Sequence, residues 1–169
     1  IYATTKLQCE HLCNSFSSVY NMDIVTLRFF NVYGPHQDFK RKHPPLTGYL
    51  IKSFMLGETP ILHSDGHQKR DYVYIDDLNN ICDIVMTHNK AKGETFNVSS
   101  GYTLSVRDIV SLISSNFSNP IKPIYQEASK FWDKYPELFK GKYPMKIKRL
   151  EEEVRKYSLG CPSKSEKML

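Results

Sequence analysis

The sequence predicts an α/β fold. Segments with strand character and segments with helical periodicity alternate along it, which is the order expected of strands joined by covering helices. The run Ile24–Phe30 is β-branched and aromatic with no polar alternation, as in a strand buried on both faces of a parallel sheet. A chain of 169 residues with 40% apolar and 12% aromatic content is long enough to bury a real core.

Each element has its own signal. From Ile1 to Tyr20, the residues Tyr2, Lys6, Cys9, Cys13, Phe16 and Tyr20 share one helical face, with Leu12 and Val19 beside it and Asn21 as the stop. After the strand Ile24–Phe30 comes a long polar stretch, Gly34 to Pro45, and then a helix from Leu46 to Leu56 closed by Gly57. Short strands at Pro60–His63 and Tyr72–Ile75 flank the turn signal Ser64-Asp65-Gly66. Asp76 or Asp77 can cap a helix reaching His88, and Gly93 precedes a strand at Thr95–Val98. Ser105 then caps a helix through Asn116, with Asp108 in the capping-box position. Pro144 opens an amphipathic helix with Ile147, Leu150, Val154 and Tyr157 on one face, and Gly160 closes it.

Composition removes several classes of function. No apolar run approaches a membrane span, and no charged segment followed by an apolar one marks a targeting signal. Cys9, Cys13, Cys82 and Cys161 have neither zinc-type nor C-x-x-C spacing, so they read as reduced thiols of a cytoplasmic protein. No other grouping of His, Cys, Asp and Glu has metal-ligand spacing. The net charge of +5 resides in residues 121–169, where 12 Lys/Arg face 7 Asp/Glu. Those charges interleave with Glu151, Glu152 and Glu153 at helical pairing distance, which describes a solvated face rather than a nucleic-acid site.

Three motifs carry chemistry. In Ile1-Tyr2-Ala3-Thr4-Thr5-Lys6 the spacing i, i+4 can set the Lys6 ammonium beside the Tyr2 phenol. A cation there favours the phenolate and suits Tyr2 to general acid/base work. The others are Leu27-Arg28-Phe29-Phe30-Asn31-Val32-Tyr33-Gly34-Pro35 and Lys69-Arg70-Asp71-Tyr72-Val73-Tyr74-Ile75-Asp76-Asp77-Leu78. Together, in this order and spacing, they resemble the second half of the extended short-chain dehydrogenase/reductase family, its nucleotide-sugar epimerases and dehydratases. The similarity runs from Ile1 to about Asp108, with a weaker echo from Ser163 to Leu169.

The resemblance implies the C-terminal portion of a Rossmann-type enzyme with its small substrate-binding subdomain. It also implies tightly held NAD and a reaction on a nucleoside diphosphate sugar. Tyr2 would take the proton of a sugar hydroxyl, at C4, and Lys6 would hold the nicotinamide ribose; in epimerases the transient 4-keto sugar turns over before reduction. Phe30 stands where the family meets the nicotinamide, and Asn31 where a side-chain amide holds the diphosphate. Arg70 matches the phosphate-gripping arginine, whose planar guanidinium offers paired donors. His63 falls where relatives place an aromatic against the nucleobase, and Leu46 where the backbone touches the nucleotide. The first helix, through Leu12, Phe16 and Val19, would pair with a second copy in a homodimer.

The chain reads as a single fragment, residues 1–169, truncated at both ends. It has no Gly-rich turn between a first strand and helix, so the adenosine end of NAD has no site in it. The residues that separate epimerases from dehydratases, a Ser/Thr or an Asp-Glu pair, belong upstream of Ile1. Where relatives carry an Arg-x-Gly-Asp-like stretch, this chain has Phe131–Tyr143, and the nucleobase stays open. A dehydratase or decarboxylase of the same family and a non-catalytic nucleotide-binding relative are the other readings.

Overall fold

The computed structural model describes residues 1–127, 129–140, 146, 148, 152 and 157–169. In chain order the elements are α1 (Tyr2–Tyr20), β1 (Thr26–Phe29), β2 (Asn31–Tyr33), α2 (Leu46–Leu56), β3 (Ile61–His63), β4 (Lys69–Arg70), β5 (Tyr72–Tyr74), α3 (Ile75–Thr87), β6 (Thr95–Val98), β7 (Leu104–Ser105), α4 (Val106–Ser114), β8 (Ile124–Gln126), α5 (Ser129–Trp132) and α6 (Ser163–Met168). The class is α/β, and the chain divides into two compact units. The first comprises Ile1–Gly34, Asp71–Tyr102 and Leu159–Leu169, the second Pro35–Arg70 and Thr103–Ser158.

The first unit is built on two parallel strand pairs that share one stretch of chain. β1 runs beside β6 with Thr26 opposite Thr95, and β2 beside β5 with Asn31 opposite Tyr72. The change of partner falls at Phe30, whose N–H donates to the Val98 carbonyl, while the next N–H, of Asn31, donates to the carbonyl of Asp71. The expected strand Ile24–Phe30 is therefore shorter, interrupted, and resumes beyond the fork. Val73, Leu78 and Val98 form a buried cluster with Leu27, Phe30, Val32 and Ile75 against it, and Val85, Ala91 and Phe96 form a second. The expectation of a strand covered on both faces is not met: β1 is half-buried at Thr26 and Leu27 and exposed at Arg28 and Phe29, while β6 buries Phe96 and Val98 and leaves Thr95 and Asn97 half-buried, the alternation of a strand with one covered face.

α3 starts without the expected aspartate cap. Tyr74 is its N-cap and makes no side-chain bond, while Asp76 and Asp77 lie in the first turn, where carboxylates complement the helix dipole. α1 ends at Asn21, which takes the left-handed conformation that asparagine tolerates. No residue of α1 is buried: Leu12, Phe16 and Val19 are all exposed, and Arg28 of β1 holds the helix through Glu10 at 2.8 Å. That guanidinium holds the Glu10 carboxyl below its ordinary range.

In the second unit β3 pairs in parallel with β8 and β4 antiparallel with β7. α2 buries Leu50, Ser53 and Phe54 and stops at Gly57, whose φ of 69° is open to glycine. α4 buries Val106, Ile109 and Val110 behind the expected capping box: Ser105 Oγ accepts from the Asp108 N–H, and the Asp108 carboxylate accepts from the Ser105 N–H at 2.8 Å. It ends at Ser114, two residues before Asn116. The Phe54 and Phe117 rings meet at 5.5 Å. The helix expected after Pro144 falls mostly outside the described residues; Tyr157, at its end, is exposed and not helical.

Candidate active site

Tyr2 and Lys6 lie one turn apart on α1, both exposed, with the Lys6 ammonium 5.7 Å from the centre of the Tyr2 ring. Helical geometry alone accounts for the pairing, since i and i+4 side chains stack along one face. The arrangement offers a phenol able to exchange a proton and an ammonium with three donors for hydroxyl groups. Such donors suit the ribose hydroxyls of a dinucleotide.

Phe30 and Asn31 stand at the fork between the two strand pairs, the kind of switch point at which open α/β sheets bind ligands. Phe30 is half-buried and packs on the Val73 cluster. Asn31 is exposed, and its Nδ2 donates to the Asp71 carbonyl at 2.7 Å, the same oxygen that takes its main-chain N–H.

Asp71 is fully buried. One carboxylate oxygen accepts from the Ser100 N–H and the Ser100 hydroxyl, each at 2.8 Å. The other accepts from the N–H groups of Gly101 and Gly160, each at 3.2 Å. A buried carboxylate without such donors would be strongly unfavourable. Gly160 has to be glycine, because a Cβ there would sit 2.2 Å from the Ser99 Cβ. The sequence shows Asp71 only as a member of the motif Lys69–Leu78, with no role of its own. The signal for its role is the separation of Ser100-Gly101 and Gly160 from Asp71 in sequence, which no local pattern reveals.

Beside this knot, burial pushes the Tyr33 phenol above its ordinary value, the nearby phenol of Tyr102 and carboxylate of Asp77 adding to it. Tyr33 packs edge-on to Tyr72 at 6.3 Å and tilted to Tyr74 at 5.4 Å.

The remaining expected residues belong to the second unit. Leu46 is the first residue of α2, after Pro45; this N-terminus has no side-chain cap and no acidic residue in its first turn. Its leading N–H groups are thus without partners inside the helix. His63 ends β3, half-buried, with Nδ1 3.2 Å from Gln126 Nε2. Burial lowers the pKa of its imidazole, the Lys134 charge lowers it further, and the Glu127 carbonyl offsets part of this. Burial thus favours the neutral form of the ring. Arg70 ends β4, half-buried, pairs with Leu104 and bridges to Ser158, and its Nη1 donates to the Lys69 carbonyl at 2.9 Å.

The structure brings Tyr2 and Lys6 together and makes Phe30 and Asn31 neighbours at the fork; Leu46 opens α2, and His63 and Arg70 have separate local partners. Among the described residues no group of three or more His, Cys, Asp or Glu can hold a metal ion, and no helix is long and apolar enough to cross a membrane. The four cysteines are free thiols.

Residues 1–99 match the model of the NAD dependent epimerase/dehydratase family. An uncharacterised UDP-glucose epimerase of Bacillus subtilis is 36% identical over 113 residues, which are 66% of this chain and 34% of that protein. Among solved structures, the UDP-glucose 4-epimerase of Thermotoga maritima with UDP-glucose superposes with a TM-score of 0.76 at 25% identity, covering 98% of this chain and 46% of that one. The UDP-glucuronic acid 4-epimerase of Bacillus cereus, in complex with UDP-glucuronic acid and NAD, gives 0.67 at 25% identity over 95% and 48%. The chain spans a third to a half of the length of these relatives.

Proposed function

Because the chain belongs to the NAD dependent epimerase/dehydratase family, we propose that the full-length protein inverts C4 of a nucleoside diphosphate sugar through a transient 4-keto sugar. The observation that carries this reading is the exposed Tyr2/Lys6 pair on α1, the ammonium 5.7 Å from the ring. A non-catalytic relative has no use for both side chains.

NAD, when bound, supplies the hydride acceptor and donor for the sugar carbon. Tyr2 takes the proton from the C4 hydroxyl as that carbon is oxidised and returns it after the ketone has turned over. Lys6 would hold the nicotinamide ribose beside the Tyr2 ring, and Phe30 would pack against the nicotinamide. Asn31 and Arg70 hold the diphosphate, Arg70 as the planar donor of paired hydrogen bonds. His63 stacks on the base, and the N-terminus of α2 at Leu46 offers a main-chain N–H to the nucleotide. In this reading residues 1–169 form the catalytic and substrate-binding part of the protein.

We assign the protein to the cytoplasm, consistent with its free thiols, and to a homodimer joined through α1, whose Leu12, Phe16 and Val19 are exposed. The experiment is an assay of the full-length protein with NAD and the UDP, TDP, GDP and CDP forms of glucose, the products identified by NMR. Formation of the galactose epimer supports the reading. A 4-keto-6-deoxy product assigns a dehydratase instead, and no turnover of any of these or of the corresponding uronic acids counts against an enzyme of this kind.

A further inference from the structure

The carboxylate of Asp71 has no task in the proposed chemistry, yet it is the most completely engaged acid in the first unit. Both oxygens are saturated by four donors, and the main-chain carbonyl of the same residue takes two more from Asn31. We propose that Asp71 is a positioning residue for the nucleotide sugar, acting through the side-chain amide of Asn31. The inference rests on the reading that Asn31 touches the substrate.

The argument is geometric. A carbonyl can only accept, so the bond at 2.7 Å fixes which end of the Asn31 amide faces inward. Nδ2 is anchored, and the exposed amide keeps one N–H and its carbonyl oxygen for a ligand, in a single orientation. That orientation is only as firm as the Asp71 carbonyl, and the carbonyl is held by the carboxylate clamp on Ser100, Gly101 and Gly160. Removing one acceptor from the clamp leaves a buried N–H without a partner, and the local backbone, including the carbonyl, shifts to relieve it. The effect reaches the substrate only by way of Asn31.

The test is a double-substitution cycle on the full-length protein: wild type, Asp71→Asn, Asn31→Ala and both together, with KM and kcat for the nucleotide sugar at saturating NAD and thermal melts of each. Asp71→Asn is expected to raise KM by about fivefold or more with a smaller change in kcat, and to add less than about twofold once Asn31 is alanine, as coupled neighbours behave. Ser100→Ala, which removes one hydroxyl donor and keeps the N–H, provides a milder probe should Asp71→Asn fold poorly; its smaller rise in KM should also vanish with Asn31→Ala. If Asp71→Asn or Ser100→Ala multiplies KM equally in both backgrounds, or lowers the melting temperature while leaving KM alone, Asp71 supports the fold only and the inference fails. If Asn31→Ala itself leaves KM unchanged, the assignment of Asn31 as a substrate contact falls, and the positioning role with it.

Discussion

The Lys6 ammonium lies 5.7 Å from the centre of the Tyr2 ring, one turn along an exposed helix. Neither residue depends on the packed core for this arrangement, because the spacing of α1 alone stacks the two side chains. A chemistry-bearing pair is thus set by local structure, and substitutions in it test mechanism with little risk to folding.

Tyr2→Phe removes the phenolic oxygen and keeps the ring. In the full-length protein this should leave NAD bound and cut turnover by a factor on the order of a hundred or more, the usual loss for a positioned proton-transfer group. Steady-state kinetics together with NAD content after purification check it; near-normal turnover would take Tyr2 out of the mechanism.

Arg70→Lys separates a phosphate grip from a charge of general use. The charge stays while the planar pair of donors goes, so calorimetric binding of UDP to the full-length protein should weaken by about tenfold, and uridine should bind as before. Equal changes for both ligands, or none, would place Arg70 away from the diphosphate. TDP, GDP and CDP with their nucleosides belong in the same series.

Assembly is read from α1. The full-length protein should sediment as a dimer at micromolar concentration, and Phe16→Lys, which puts a charge on the exposed apolar stripe, should shift it to monomer without lowering its melting temperature. A wild type that stays monomeric contradicts the assignment.

The capping box of α4 gives a stability prediction with a definite sign. Ser105→Ala removes the oxygen that accepts the Asp108 N–H and should cost about 1 kcal/mol, the usual loss for an N-cap serine. The Ser105 hydroxyl and N–H hold the Asp108 carboxyl below its ordinary range, so the ionised form is favoured in the folded state. Its contribution is present above the unfolded carboxylate pKa and lost as pH falls through the lower folded value. Urea titrations of wild type and Asp108→Asn should therefore differ at neutral pH and converge in acid; a gap that widens on acidification would reverse the assignment.

Short-range chemistry was legible in the sequence. Asn21, Gly57 and Ser105 end or begin helices as their residue types predict. What depends on distant partners was not. Nothing in Ile24–Phe30 says that the strand will change neighbours at Phe30, and Asp76 and Asp77 look like caps until Tyr74 is seen to hold that position. The Tyr2/Lys6 pair was visible because both members share one helix. The Asp71 clamp was hidden because its donors are 29, 30 and 89 residues away.

The chain leaves and re-enters the first unit at four places, after Gly34, at Asp71, after Tyr102 and before Leu159. Asp71 stands at one of these passages and hydrogen-bonds, always within the first unit, to a residue no more than three positions from each of the others: Asn31, Gly101 and Gly160. Residues 35–70 and 103–158 thus form an insert whose flanking residues are all tied to one residue, Asn31 through its main-chain carbonyl and Gly101 and Gly160 through its carboxylate. Exchanging that insert as a cassette leaves the bonds of the first unit in place, provided Asn31, Asp71, Ser100-Gly101 and Gly160 stay as the fixed seam.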